Sequence, residues 1–198
     1  MSAVRPKTMR GKRTRRRILK AAEETFGRLG FHGAGIVDIT RAAGIAQGTF
    51  YFHFSSKEEA LRELVRQLGR DLRLYVAERV AGSKDRLEAE QRGLLAFLHF
   101  VRENQSLYRI LQEALFVDES IYREYYQTFA AAYERLLRQA QSKGEIAAGD
   151  NQVRAWALMG IGHFLGMRYA LWDQDAPFEQ VVAAAADLIR NGMQKRLG

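Results

Sequence analysis

The stretch that decides the fold is Ile36 to Lys57, IVDITRAAGIAQGTFYFHFSSK. Apolar residues recur at helical spacing in its first part, at Ile36, Ile39 and Ala43. Gly44 then ends this helix in a conformation that glycine adopts at little cost, and Ile45 fills the turn. A second short helix is predicted from about Gln47 to Phe54, and it needs neighbouring helices to be stable. Two short helices around a glycine turn are typical of a helix-turn-helix, the motif that reads DNA.

The second short helix leaves several polar side chains free to face a partner: Gln47, Thr49, Tyr51 and His53. Tyr51 and His53 alternate with phenylalanines, and so many consecutive aromatic residues cannot all face one core. We therefore expect Tyr51 and His53 to contact DNA rather than only to pack. Gln47 either reads a base edge or hydrogen-bonds water. Gly48 is a position at which the backbone can approach DNA closely.

Basic residues are concentrated beside this motif. Residues 1–56 carry eleven Lys or Arg and three acids, a net charge of +8, and Arg17 is one of the candidate DNA contacts among them. Residues 57–198 carry 20 bases and 20 acids, so the whole excess charge lies next to the helix-turn-helix. Neutralised phosphates release counterions, which gives affinity for DNA without sequence information. The alternative interpretation is a solvated basic tail.

Composition narrows the class of protein. The chain contains no cysteine, which excludes disulfides, thiolate metal sites and a cysteine nucleophile. No run approaches the roughly 20 apolar residues that span a bilayer, and no signal-peptide pattern is present. The four histidines fall on separate segments, and neither HExxH nor a P-loop occurs, which disfavours an enzyme. We expect a cytoplasmic protein without a cofactor, a metal or a membrane partner.

The 3.6-residue period recurs along nearly the whole chain and predicts an all-α protein of about nine helices. The first helix is expected over about residues 14–29, where Gly30 stops it. A long fourth helix is expected to begin at two overlapping capping boxes, Ser55 with Glu58 and Ser56 with Glu59, and to run to about Val80. Further helices are expected near residues 84–103, 106–116, 118–143, 150–172 and 177–196, with Ser106, Asp118 and Asp150 as N-caps and Pro177 in a first helical turn.

The basic first helix followed by DITRAAGIAQGTFYFHFSSKEEAL resembles the tetracycline-repressor (TetR) family of bacterial transcriptional regulators. The resemblance covers about residues 10–65 and rests on an ordered pattern: Ala43-Gly44-Ile45, Gly48-Thr49-Phe50-Tyr51, His53-Phe54 and Lys57. It implies a homodimer that binds a palindromic operator in double-stranded DNA through the first three helices. It also implies a ligand pocket in the later helices and a four-helix interface built by the last two.

Site roles follow from the same resemblance, position by position. It implies that Gln47 and Gly48 approach base edges, that Thr49, Tyr51, His53 and Lys57 mostly hold phosphates, and that Phe50, Phe52 and Phe54 are partly core. One position departs from the family. Many members have Ser or Thr before the second helix, where this chain has Ala34-Gly35-Ile36, so Gly35 supplies no hydroxyl for a phosphate. We predict two domains, a DNA-binding head over residues 1–56 with a basic arm and a ligand-binding and dimerisation domain over residues 57–198.

The neutral part of the chain is rich in aromatic residues with scattered polar tips, which suits the wall of an apolar ligand site and equally the core of a helical bundle. The candidate ligand residues are Phe97, Tyr108, Tyr126, Phe129, Trp156, His163, Phe164 and Arg168. His163 and Arg168 are placed to orient an anionic or carbonyl group, whereas a single histidine on such a face is often a satisfied core residue. Three glycines predict close helix packing, between subunits or within one: Gly160, Gly162 and Gly166.

The segments LYRILQEALFVDES and MGIGHFLGMRYALW look like those of TetR regulators of fatty-acid or aromatic-acid degradation that respond to acyl-coenzyme A thioesters. We therefore expect a ligand-responsive repressor that a hydrophobic small molecule, such as an acyl-coenzyme A, releases from DNA. A regulator of drug efflux that senses a hydrophobic drug fits the same lining. The alternative from another class is a helical enzyme or protein-interaction module whose basic head binds acidic partners.

Overall fold

The computed structural model describes residues 8–193, and within that range the protein is helical and contains no strand. The helices are α1 (Met9–Gly33), α2 (Ile36–Ala43), α3 (Gln47–His53), α4 (Lys57–Val80), α5 (Arg86–Glu103), α6 (Gln105–Val117), α7 (Glu119–Ser142), α8 (Asn151–Leu165) and α9 (Phe178–Asn191). A π-helical segment, Gly166–Trp172, follows α8. The predicted all-α class with about nine helices is confirmed. Among the described helices, none combines the length and the apolar character needed to cross a membrane.

Several helix ends differ from the predictions. α1 begins at Met9, earlier than expected, because the Thr8 hydroxyl accepts a hydrogen bond from the Gly11 N–H at 3.1 Å. Gly30 interrupts this helix as expected, with φ of +69°. The prediction of Ser106 as an N-cap is wrong, since α6 already begins at Gln105. The arm residues Arg5 and Lys7, and the predicted end of the last helix beyond residue 193, lie outside the described residues.

One carboxylate serves both serines at the start of α4. The Ser56 hydroxyl accepts the Glu59 N–H at 3.2 Å, as in a capping box. The Glu59 carboxylate, however, accepts the N–H and the hydroxyl of Ser55, each at 2.7 Å. Glu58 is exposed. The two predicted boxes are therefore one shared motif centred on Glu59.

The chain forms two compact units. The first comprises Met1–Gly69, described from residue 8 onward, together with Ser106–Tyr125. It thus contains α1 to α3, the first half of α4, nearly all of α6 and the start of α7. Its largest fully buried side chains are Ile18, Phe26, Ile39, Phe50, Phe54, Leu61, Val65, Ile110, Leu111 and Ile121. Sequence reasoning did not anticipate that α6 belongs to the same unit as the helix-turn-helix.

Polar contacts fix α6 and the start of α7 within this first unit. The Glu113 carboxylate accepts the backbone N–H of Phe31 at 2.6 Å, directly after the Gly30 interruption. Arg62 on α4 pairs with Asp118 at 2.6 Å. Arg66 pairs with Glu124 through two hydrogen bonds of 2.6 and 3.0 Å. Bidentate pairs of this kind hold geometry as well as charge.

The second unit comprises Arg70–Gln105 and Tyr126–Gly198, described to residue 193. It contains the second half of α4, all of α5, most of α7, α8, the π-helical segment and α9. Its core includes Leu72, Leu98, Val101, Leu137, Ala155, Ala170, Phe178 and Val182. The units are defined by packing, and the functional division at residues 56 and 57 stays a prediction.

Candidate nucleic-acid interface and sensor residues

The turn between α2 and α3 has the backbone conformation that its sequence predicts. Gly44 adopts the left-handed conformation, with φ of +60° and ψ of +46°. The Ile45 N–H then donates to the Thr40 carbonyl at 3.0 Å, which closes the end of α2. At the start of α2, the Asp38 carboxylate accepts the Gly35 N–H at 3.0 Å. Glycine lacks the hydroxyl for the reciprocal bond, so this cap is half of a capping box.

α3 presents one side to solvent and the other to the core. Gln47 and Gly48 are exposed, and the side chains of Tyr51 and Phe52 are 52% and 59% exposed. Phe50 and Phe54 are fully buried, and Thr49 is half-buried. At about 100° per residue, these exposed positions fall on one half of the helix. The expectation of a partly buried Phe52 is corrected, because this residue lies on the exposed half.

Gly48 is not required by the packing of the protein itself. A Cβ built on this residue would meet no heavy atom within 4 Å, apart from its chain neighbours and its own helix backbone. Its φ is not positive, so the backbone conformation does not demand glycine either. The backbone of α3 is therefore bare at its exposed N-terminal turn.

His53 faces the interior instead of the exposed side. Its residue surface is 3% exposed, and its Nδ1 has no hydrogen-bond partner among the described residues. Burial, and secondarily the nearby Arg15 guanidinium, hold the pKa of the His53 imidazole below its ordinary value. The structure corrects the expectation that His53 holds a phosphate, because a buried, neutral imidazole offers no charge to one.

Lys57 makes contacts inside the first unit. Its Nζ donates to the carbonyls of Phe31 and Ala34, at 2.9 and 3.0 Å, and lies 4.4 Å from the centroid of the Phe31 ring. An ammonium group has three N–H donors, so one is left beyond these two bonds. A phosphate contact by Lys57 stays a prediction that depends on this third donor.

The basic residues of the head are not equivalent. Eight are exposed: Arg10, Lys12, Arg13, Arg16, Arg17, Lys20, Arg28 and Arg41. The side chain of Arg15 is only 19% exposed. Its Nη1 donates to the His53 carbonyl at 2.6 Å, and its guanidinium carbon lies 4.0 Å from the centroid of the Phe54 ring. Sequence reasoning missed this difference.

Four of the eight candidate ligand residues come together in the second unit. The Tyr126 hydroxyl lies 3.2 Å from His163 Nδ1, and the Tyr126 and Trp156 rings are stacked with centroids 6.5 Å apart. The Phe164 ring lies edge-on to His163 at 5.2 Å. Burial holds the pKa of His163 below its ordinary value, so its imidazole is neutral near neutral pH.

The other four candidates take different positions. Tyr108 belongs to the first unit, where burial and the neighbouring Tyr125 and Tyr122 raise the pKa of its hydroxyl. Phe129 packs edge-on against Tyr133 at 6.2 Å. Arg168 is exposed and pairs with Asp173 at 3.3 Å. The fourth, Phe97, packs against Gly162 of α8 and Gly166 of the π-helical segment.

Glycines allow α5 to approach α8 and the π-helical segment that follows it. A Cβ on Gly166 would lie 2.9 Å from the Phe97 ring, and one on Gly162 would lie 3.7 Å from it. These two glycines therefore serve internal packing, and Phe97 fills the space that they leave. Gly160 faces open space.

The outer face of α8 is apolar. Trp156 and Phe164 are 45% and 65% exposed, Val153 is exposed on the same helix, and Trp172 is exposed at the end of the π-helical segment. A helical repeat places both rings at the surface of the single chain, and a role for Trp156 and Phe164 in lining a ligand site stays a prediction.

A buried ionic cluster in the second unit escaped sequence reasoning. Arg86 Nε donates to the Glu90 carboxylate at 2.6 Å, and the Tyr133 hydroxyl donates to the other oxygen of that carboxylate. Burial raises the pKa of Tyr133 well above its ordinary value and keeps this hydroxyl protonated. The four-residue spacing of Arg86 and Glu90 signals a helical ion pair, but nothing in the sequence signals Tyr133.

Comparisons with known proteins agree with the helical fold and the helix-turn-helix. The profile of the bacterial regulatory proteins of the tetR family matches residues 18–64. The HTH-type transcriptional regulator UidR of Escherichia coli (strain K12) is 44% identical over 54 residues, which cover 27% of this chain and 28% of UidR. The chain thus aligns with less than a third of the length of the first curated relatives it matches.

Solved structures match nearly the whole chain. The regulator FadR of Bacillus subtilis, in complex with stearoyl-CoA, has a TM-score of 0.78 at 19% identity, covering 90% of this chain and 99% of that one. The fatty acid degradation regulator FadR of Bacillus halodurans has a TM-score of 0.78 at 18% identity, covering 97% and 100%. At these identities the likeness shows a common fold alone.

Proposed function

We propose that the chain, whose residues 18–64 match the tetR family of bacterial regulatory proteins, is a dimeric repressor that leaves its operator when an acyl-coenzyme A binds. The observation that carries DNA binding is the exposed half of α3. There, Gln47, Gly48 and Tyr51 are exposed, and the same unit carries a group of exposed cations. The side chains read base edges and hold phosphates, and the cations add affinity that is independent of sequence.

A dimer follows from the size of the head. A single three-helix head offers few contacts, whereas two heads read half-sites that lie about 34 Å apart, or a multiple of that distance, on B-DNA. The exposed apolar side chains of α8, together with Leu188 on α9, supply a surface that a second copy can cover. Phe164→Glu is expected to shift the chain toward monomer in sedimentation measurements, and an unchanged oligomeric state would place the interface elsewhere.

The DNA-binding part is tested by selecting sites from a random duplex library with the full chain. We expect a palindrome, with affinity that falls steeply as salt rises. On that site, Tyr51→Ala should weaken binding to all sequences, whereas Gln47→Ala should mainly relax discrimination at one position. Recovery of no discrete site would support the alternative of a helical module whose basic head binds acidic partners.

The ligand proposal has two supports. FadR of Bacillus subtilis, which has the same fold, was solved with stearoyl-CoA bound. In this chain, Tyr126 and His163 place polar atoms among the aromatic rings of Trp156 and Phe164. A neutral imidazole and a phenol can hydrogen-bond a thioester carbonyl while the rings contact the acyl chain.

Release by the ligand is a shift between two conformations. The ligand must bind the conformation that does not fit DNA more tightly than the one that does. α4 is shared by the two units, since Lys57–Gly69 belong to the first unit and Arg70–Val80 to the second. We propose that this helix couples ligand binding to the position of the head. The two recognition helices then no longer match successive major grooves.

The ligand is tested by titrating the bound operator with acyl-coenzyme A thioesters of increasing chain length. Free coenzyme A and the matching free fatty acids are the controls. We expect release by a limited range of chain lengths and none by free coenzyme A. Release by lipophilic drugs, with no response to any thioester, would instead support a regulator of drug efflux.

A further inference from the structure

We propose that Arg15 is a positioning residue for the recognition helix α3 and does not itself contact DNA. This role rests on the proposed function in one respect, since it takes DNA binding through α3 as given. Arg15 lies within the basic run of α1, among arginines that face solvent on either side of it: Arg13, Arg16 and Arg17. Its contacts set it apart from them.

Arg15 joins three helices of the first unit. From α1, its Nη1 donates to the carbonyl of His53, the last residue of α3, at 2.6 Å. Its Nη2 lies 3.7 Å from the Glu63 carboxylate on α4. The flat guanidinium also covers the Phe54 ring, with its central carbon 4.0 Å from the ring centroid. A planar cation can make all three contacts at once, which a lysine cannot.

The bond to His53 meets a specific need of α3. This helix has seven residues, too few to be stable alone, and its last carbonyls have no partner within the helix. A cation at a helix C-terminus satisfies such a carbonyl and interacts favourably with the helix dipole. Arg15 therefore fixes the end of α3 opposite the N-terminal turn that carries Gln47 and Gly48.

The same contacts leave Arg15 poorly placed to hold a phosphate. Its side chain is 19% exposed, one face of the guanidinium lies on Phe54, and Glu63 already compensates its charge. Arg17, two residues further along α1, is exposed. Arg17→Ala is therefore the matched control for a charge that faces solvent.

The two roles differ in how DNA affinity depends on salt. Each phosphate contact that is lost lowers the slope of log K against log [salt] by about 0.9 on B-DNA. We expect Arg17→Ala to lower this slope. Arg15→Ala should reduce operator affinity by about tenfold and leave the slope unchanged, because loosening α3 removes no phosphate contact of its own. Arg15→Lys, which keeps the charge, should recover only a small part of the affinity.

A second measurement reports on the position of Arg15 without DNA. The Arg15 charge helps burial to hold the pKa of His53 down, so NMR titration should find a higher His53 pKa in Arg15→Ala and an unchanged one in Arg17→Ala. Arg15 would be a DNA contact, and the proposal overturned, if Arg15→Ala lowers the salt slope as Arg17→Ala does, or if Arg15→Lys restores full affinity. Failure of the wild-type chain to select any operator would refute the proposed function, while the His53 titration would still support or overturn the internal position of Arg15.

Discussion

Replacing Gly48 with alanine should change the stability of the head and its affinity for DNA in opposite directions. Gly48 is the second residue of α3, its φ is not positive, and an added Cβ would have nothing within 4 Å. Alanine loses less backbone entropy than glycine when a helix forms. The free energy of unfolding should therefore rise by up to about 1 kcal/mol.

The effect on DNA binding should have the opposite sign. The added methyl group points to the side of α3 that carries Gln47 and Tyr51 in solvent. If the bare backbone there approaches DNA closely, an extra methyl group in a well-packed contact costs about 1–3 kcal/mol per head. Since 1.4 kcal/mol is a tenfold change, the dissociation constant should rise by about 5- to 150-fold per head.

Urea unfolding and fluorescence anisotropy with a labelled operator measure the two effects on the same preparation. Gly33→Ala is the matched control: Gly33 is exposed in the same unit, and an added Cβ would make an ordinary contact of 3.7 Å with Leu29. This control should leave the dissociation constant unchanged. An unchanged dissociation constant in Gly48→Ala would refute the close approach of α3 to DNA.

Three further predictions concern the first unit and the histidines His53 and His163. Gly44→Ala should lower the free energy of unfolding by about 1–2 kcal/mol in urea titrations, because Gly44 has φ of +60°, and a gain in stability would refute this. Lys57→Met removes two charge-assisted hydrogen bonds to backbone carbonyls and should destabilise the head by about 2 kcal/mol. If the variant instead changes the slope of log K against log [salt] without losing stability, Lys57 is purely a phosphate contact. The folded-state pKa values of His53 and His163 lie below their ordinary 6.5, so the unfolded chain binds more protons, and the free energy of unfolding should fall as pH drops from about 7 to about 5. This slope should flatten in His163→Gln, and an equal slope would assign the pH dependence to other groups.

The sequence was most informative where structure is set by neighbours in the chain. The turn at Gly44 follows from a glycine after a short amphipathic run, and the cap at Asp150 follows from a carboxylate before a helix. The wrong predictions for Phe52 and His53 on α3 have a local cause too. A run of aromatic residues shows that some must be exposed, but only the 100° rotation per residue separates exposed Phe52 from buried His53.

Partners far apart in the sequence could not be predicted. Helical spacing places Arg15 on the stripe of buried Ile18 and Ala22, but it does not identify the partner of Arg15, the His53 carbonyl 38 residues away. Glu113 meets Phe31 across 82 residues, and this bond places α6 in the same unit as the helix-turn-helix. Such pairings depend on tertiary packing, which helical periodicity does not encode.

The aromatic residues of α8 are candidates for two different contacts, one with a ligand and one with a partner subunit. His163 and Phe164 are adjacent, yet His163 meets Tyr126 while Phe164 is 65% exposed. Exposed apolar side chains that recur along one helix form a patch of the kind that marks an interaction surface. Trp156 belongs to both groups, because it stacks on Tyr126 and is still 45% exposed. If the dimer and the ligand site are as proposed, a ligand that displaces Tyr126 should also move the Trp156 ring, which reaches the exposed face of α8.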